Sequence, residues 1–240
     1  LAAIRYRVGT LHADRIIYVV GLPQAFHFEQ VFALARKAGY LPDAVRAQHV
    51  GFGSVLGSDG KMLRTREGGT VTLEYLLDEA EAVAARPIAM AAVKYADLST
   101  SLHKDYVFDL ERMTATTGNT GPYLQYAHAR SSRILRNAAE LGLEIPDAVT
   151  LLDAPEEQAL ALLLSRFGEV VADVGVNLQP HKLCGYLYDL ATALSSFYEN
   201  CPVLKSEGEV RASRLAVCAA TRKVLARGLY LLGIEAPEQM

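Results

Sequence analysis

The stretch RIIYVVGLPQAFHFEQVFALARKAG, Arg15 to Gly39, decides how the first part of the chain folds. It opens on RIIYVV, a short, nearly unbroken apolar run rich in β-branched residues. Such a run predicts a strand buried on both faces of a parallel sheet. GLP makes a turn, and the period then changes. Phe28, Val31, Phe32, Ala35 and Ala38 fall on one helical stripe, and Gly39 supplies a C-terminal stop. Open α/β sheets bind ligands outside the carboxyl ends of their strands, which is where QAFHFEQ sits. Gln24 offers a polar ligand both a donor and an acceptor. His27 could reach a phosphate or a ribose, although a histidine serving the helix start is the plainer reading.

Working outward, LAAIRYR reads as the middle of a helix, so a further N-terminal part is expected before Leu1. On the other side, AQHVGFGSVLG is a second extended segment broken by glycines. Residues up to about 84 therefore form a piece of an α/β domain, with too few strands to make a sheet alone. HVGF looks like the first half of an HxGH nucleotide signature. Phe52 stands where the second histidine belongs, and the segment follows the strand–helix unit instead of preceding it. It reads better as a glycine-containing strand. There Gly51 and Gly53 would let a flat ring approach the backbone, with a plain buried strand as the alternative.

The loop GSDGKMLRTREGG, Gly57 to Gly69, encloses Lys61, Arg64 and Arg66 between glycines. Backbone N–H groups and cations in such a loop can wrap phosphate oxygens. It is not a Walker loop, because Met62 follows Gly60-Lys61. Asp59 and Glu67 partly cancel its field. On spacing alone, a phosphate clamp and a solvated hairpin stand level.

After Arg86-Pro87 the strand signals fade. Apolar stripes run through 123–141, 158–174, 183–197 and 210–232, with short polar connections and Gly233 as the last stop. They predict an all-helical bundle. GNTGPYLQYAHAR, Gly118 to Arg130, interleaves tyrosines with basic groups, a pattern that can stack bases and neutralise phosphates. By composition alone the tyrosines face the core and only Arg130 sees solvent. PHKLCGYLYDL, Pro180 to Leu190, reads as half core.

Bulk composition narrows the field. The chain has 240 residues, 51% hydrophobic and 21% charged, which suits a folded core. Its formal charge is only −3, so any nucleic-acid binding needs a local basic surface. Cys184, Cys201 and Cys218 are widely spaced with no CxxC pair. That argues for three buried thiols in a reducing cytoplasm and against a zinc site or disulfides. No apolar run reaches the roughly 18 residues of a membrane span, and no signal peptide is recognisable.

Taken in order, LAAIRYR, YVVGLPQAFHFEQ, HVGFGSVLG, GKMLRTREGGTV, AVKYADLS, KDYVFD, GNTGPYLQYAHAR, PHKLCGYLYDL, FYENCPVL and LLGIEAPEQM resemble arginyl-tRNA synthetases of the bacterial type, along essentially the whole chain. The resemblance implies a mixed fold. Residues 1–84 would be the C-terminal part of a Rossmann-type class I catalytic domain, and 85–240 an all-helical, DALR-type anticodon-binding domain. It implies arginine, ATP with Mg²⁺ and tRNA-Arg as partners, a cytoplasmic location and a monomer.

The resemblance also carries residue roles. Gln24 resembles the glutamine that helps recognise arginine. His27 and Gln30 lie in the matching HxxQ segment beside the ATP site. Val50, Gly51, Phe52 and Gly53 match the strand that cradles adenosine. Lys61, Arg64, Thr65 and Arg66 match the family's divergent counterpart of the mobile KMSKS loop. Tyr126 and Met240 match positions near the anticodon loop, and Arg130 stands beside them as a tRNA-binding cation.

The departures are specific. No HIGH signature, no guanidinium-binding aspartate and no tRNA-elbow domain has a counterpart here. The connection between Ala84 and Ala91 is shorter than the family's, and Glu67 stands where the family has a small residue. These 240 residues alone are therefore expected not to form arginyl-adenylate. The rival reading is a free-standing tRNA-binding module without chemistry.

Overall fold

The structure, a computed structural model, describes residues 1–63 and 71–240. They divide into two compact units, Leu1–Met62 with Thr100–Val107, and Leu63–Ser99 with Phe108–Met240.

The first unit is built on the strand–turn–helix stretch. Helix α1 (Ala2–Gly9) precedes strand β1 (Arg15–Gly21), a 3₁₀ turn over Leu22–Gln24, helix α2 (Ala25–Lys37) and strand β2 (Arg46–Phe52). The two strands pair in parallel, from Arg15 opposite Arg46 to Gly21 opposite Phe52. A parallel pair needs a crossover, and α2 supplies it. Short β3 (Val55–Leu56) pairs in parallel with β4 (Tyr106–Val107). Gly39 ends α2 as expected, at φ +74°.

Strand β1 is not buried on both faces. Ile16 is 5% exposed and packs with Ile4, Ala35 and Leu41, but Ile17 is 41% and Val19 63% exposed. Successive side chains of a strand alternate between faces, and among the described residues only one helical layer covers this pair. On the covered side, the His49 ring stacks on Phe28 at 4.8 Å and 11°. Its Nε2 lies 2.8 Å from the Val20 carbonyl, tying α2 to both strands.

The second unit comprises α3 (Leu73–Val83), α4 (Arg86–Ser99), α5 (Leu110–Thr114), α6 (Gly121–Glu140), α7 (Pro155–Ser165), α8 (Phe167–Asn177), α9 (Pro180–Asn200) and α10 (Gly208–Leu231). Ala84 and Ala85 alone join α3 to α4. One core spans α4, α6, α9 and α10, with Tyr95, Leu124, Leu187, Phe197 and Leu225 fully buried. Thr120 caps α6, its Oγ1 accepting from Tyr123 N at 3.1 Å, and Pro122 follows in the first turn. All three cysteines are buried and free. Burial pushes the Cys184 and Cys218 thiols up to about 12, and raises Cys201 as well.

The stripe over 158–174 predicts one helix, but the chain breaks at Arg166 into α7 and α8. Carbonyls of the last α7 turn are taken by side chains. Ser165 Oγ donates to Leu162 O at 2.7 Å, and Tyr186 OH donates to Leu163 O at 2.9 Å. The apolar period runs through the break because both helices use it against α9, a contact that pattern alone does not divide.

Candidate functional site

In the first unit, the parallel register brings the carboxyl ends of β1 and β2 side by side. Gln24 closes the turn after β1, with His27 and Gln30 in the opening turns of α2, all three exposed. The His27 ring meets Phe28 edge-on at 5.5 Å. Val50, Gly51 and Phe52 end β2, and Phe52 is 44% exposed. The edge thus combines an amide, an imidazole and an apolar ring at a strand terminus, groups that can contact a polar ligand and a flat ring together.

The close approach at the two glycines is made by the chain itself. A Cβ on Gly53 would lie 2.6 Å from the Lys104 carbonyl oxygen, and one on Gly51 2.8 Å from a Leu22 methyl. Gly53 N also donates to Leu102 O at 2.8 Å. Internal packing therefore requires the lack of a side chain at Gly53, where the neighbour is backbone, whereas at Gly51 the Leu22 methyl can turn aside and the fit is only tight.

Lys61 ends a tight turn after β3. Gly57 N donates to Lys61 O at 2.8 Å and Gly60 N to Gly57 O at 3.0 Å, with Gly60 at φ +72°. Asp59 Oδ1 accepts from Lys61 N at 3.0 Å, so that carboxylate is engaged with the turn's backbone. The Lys61 side chain is exposed. Arg64, Thr65, Arg66 and Glu67 lie outside the described residues.

In the second unit, the expectation that the tyrosines face the core while Arg130 alone sees solvent does not hold. Tyr126 is 40% exposed, and the Arg130 guanidinium is half-buried between two rings. It lies 4.8 Å from the Tyr126 centroid and 5.1 Å from that of Tyr198 on α9. Arg130 Nη1 donates to Ser195 Oγ at 3.2 Å, and Ser195 Oγ also meets Tyr123 OH at 3.3 Å. Tyr123 in turn packs against Tyr188 at 5.8 Å. A hydrogen bond from Arg130, with its positive charge, holds the Tyr126 phenol below its usual range. Two exposed rings bracketing a cation can stack bases and attract phosphate.

The inward side of α6 holds the segment after α10. Gln125 Nε2 donates to Glu235 O at 2.9 Å and to Pro87 O at 3.2 Å. His128 Nδ1 donates to Pro237 O at 2.8 Å. Met240, at the far end of this segment, is 51% exposed. Tyr126 and Arg130 come together; Met240 belongs to the same unit, whereas Gln24 and Lys61 belong to the other.

Comparison with known proteins gives this geometry a family. Residues 1–88 match the family described as tRNA synthetases class I (R), catalytic domain, and residues 124–240 match the DALR anticodon binding domain. The arginine–tRNA ligase of Cutibacterium acnes is 64% identical over 100% of the chain, and that of Frankia casuarinae 50% identical over 100%. The solved arginyl-tRNA synthetase of Plasmodium falciparum matches 100% of the chain and 44% of its own with a TM-score of 0.84 at 29% identity. That of Thermus thermophilus matches 95% and 41% with a TM-score of 0.83 at 34% identity. The chain belongs to the arginyl-tRNA synthetase family.

The chain spans 45% and 44% of the two ligases it matches. As a member of this family it carries functional candidates that sequence reading passes over, namely Ser195 and Tyr198 on α9 and Gln125 on α6. His128 is one of the basic groups that GNTGPYLQYAHAR interleaves with tyrosines, but it is buried against Pro237 instead of facing solvent. FYENCPVL and GNTGPYLQYAHAR carry the resemblance and contain two of the three. Their partners lie too far along the chain for spacing to reveal the contacts.

Proposed function

We propose that this chain serves arginine–tRNA ligation, ATP-driven activation of arginine followed by its transfer to tRNA-Arg. Residues 1–84 act as the C-terminal part of the class I catalytic domain and 85–240 as the anticodon-binding domain. Family membership supports the reaction. The observation that carries the RNA part is the exposed Tyr126–Arg130–Tyr198 stack, because core packing alone gives no reason to leave two tyrosine rings in water around a cation.

In this reading Gln24 contacts the arginine substrate. His27, Gln30 and residues 50–53 line the ATP site, with Lys61, Arg64, Thr65 and Arg66 forming the loop that holds ATP phosphates. Catalysis is positioning plus electrostatic stabilisation at phosphorus, with no covalent intermediate on the protein. Mg²⁺ would accompany ATP, bound through its phosphates. Tyr126, Arg130 and Met240 contact the anticodon loop. Among the described residues no helix is long and apolar enough to cross a membrane. We place the protein in the cytoplasm as a monomer.

Two measurements test this. The 240-residue chain should bind a tRNA-Arg transcript with strong salt dependence, and lack of any binding rejects the RNA reading. The same chain should give no arginine-dependent ATP–pyrophosphate exchange, because one face of its two-stranded sheet stands open at Ile17 and Val19. Clear exchange would mean that these residues form an activation site unaided.

A further inference from the structure

After α10 the chain runs back across the bundle as an extended strap, and its carbonyls are taken one after another by side chains. Lys94 Nζ donates to Gly233 O, Gln125 Nε2 to Glu235 O at 2.9 Å, His128 Nδ1 to Pro237 O at 2.8 Å and Arg136 Nη1 to Glu238 O at 3.3 Å. Arg222 pairs with the Glu238 carboxylate and donates from Nε to Ser132 Oγ at 3.1 Å. Ile234 is buried between these anchors. Two of the donors, Gln125 and His128, are 0% and 2% exposed.

The other face of the same helix carries Tyr126 and Arg130. Residues 125 and 128 are three apart on one side of α6, and residues 126 and 130 four apart on another, so a single rigid helix fixes both groups. A carbonyl offers no proton, so the His128 proton must sit on Nδ1, leaving the imidazole committed to the strap.

We infer that His128, backed by Gln125, is a positioning residue: it locks residues 234–240 against α6, so that Met240 is held ready for the single-stranded RNA loop that Tyr126 and Arg130 engage. This rests on the RNA reading proposed above. A segment ordered before binding spares the complex the cost of ordering it. Loss of the lock should therefore lower RNA affinity by about tenfold.

The experiment uses the 240-residue chain and an unmodified tRNA-Arg transcript. Amide hydrogen exchange over 234–240, transcript affinity and thermal midpoint are measured for wild type, His128→Leu, His128→Asn and Pro237→Gly. Asn places an N–H near the position of Nδ1, whereas Leu cannot donate. Pro237→Gly loosens the strap from its own side and touches no buried donor, so it serves if His128→Leu does not fold. The expected result is fast strap exchange and about tenfold weaker binding in His128→Leu and Pro237→Gly, with His128→Asn restoring slow exchange and affinity within about twofold. A strap that stays protected in both loosened variants overturns the inference. So does a released strap with unchanged affinity, because position would then not matter. If wild type fails to bind the transcript, the RNA reading falls, and with it Met240 presentation; the exchange data still decide whether His128 locks the strap.

Discussion

The Arg130 guanidinium lies over the Tyr126 ring, one helical turn away, at 4.8 Å from its centroid. The same cation is 5.1 Å from Tyr198, so it fills the gap between two exposed rings from different helices. A base cannot enter between rings that already share a guanidinium; it must stack on their outer faces or displace the arginine.

Arg130→Ala should therefore damage binding far more than stability. Cation–π contacts at exposed sites contribute about 0.5–1 kcal/mol each, so the thermal midpoint should move only a few degrees. Transcript affinity should fall about tenfold, and the slope of log K against log salt should shrink by about one. The Tyr126 phenol should also titrate higher once its hydrogen bond and positive neighbour are gone, which tyrosine-selective NMR reads directly. An unchanged salt slope would assign Arg130 to ring spacing alone.

Glu157 is the main electrostatic joint of the second unit. Its Oε2 accepts from Asp153 N at 2.8 Å and Ala154 N at 3.0 Å, and its Oε1 from Arg214 Nε at 2.6 Å. Both side chains are largely buried, at 4% and 15% exposure. Glu157→Gln should destabilise by about 3 kcal/mol, because it leaves Arg214 half-paired in a low-dielectric site. Chemical denaturation checks it, and a change below about 1 kcal/mol would show that water replaces the partner.

The same residue sets acid sensitivity. Burial raises the Glu157 pKa, but the Ala154 N–H, the Arg214 guanidinium and the Asp153 N–H outweigh it, and the net shift is downward from 4.5. A depressed carboxylate contributes stability that is fully present above its unfolded value and lost as pH falls through the folded one. Stability should thus drop below about pH 4.5, and Glu157→Gln should flatten that drop.

His128 adds an earlier acid step. Burial lowers its pKa from 6.5, against the raising effect of its Pro237 bond. The unfolded chain then binds the proton first, so stability rises with pH up to about 6.5 and declines below it. His128→Asn should remove the decline that sets in below about pH 6.5 while keeping the rest of the profile.

Gly121→Ala tests the seam between α4 and α6. The new Cβ would lie 2.3 Å from Ala91 O and 2.7 Å from Ala91 C, both backbone atoms that cannot turn aside. Separating the helices should cost about 3 kcal/mol, the upper end for overpacking. A neutral result in thermal unfolding would show that the helices can slide apart freely.

Local pattern made much of this molecule readable. The β-branched run of β1, the α2 stripe and the stops at Gly39 and Gly233 depend on neighbours a few residues away, and each forms where expected. The same pattern overreached where burial depends on a second layer. Ile17 and Val19 read as buried in a run of apolar residues, yet among the described residues only one side of β1 has helices to cover it.

The sequence by itself determined a strand–turn–helix unit followed by a helical bundle, and through its ordered motifs it determined the family. Tertiary structure decided which tyrosines remain in solvent. Tyr123 and Tyr126 are three residues apart on one helix with the same composition around them, yet Tyr123 turns toward Ser195 while Tyr126 stays exposed over Arg130. It also decided that Arg130 meets Ser195, 65 residues on, and that His128 meets Pro237, 109 residues on. Periodicity reports which side of a helix is apolar. What lies against that side is set by close packing among segments far apart in the chain.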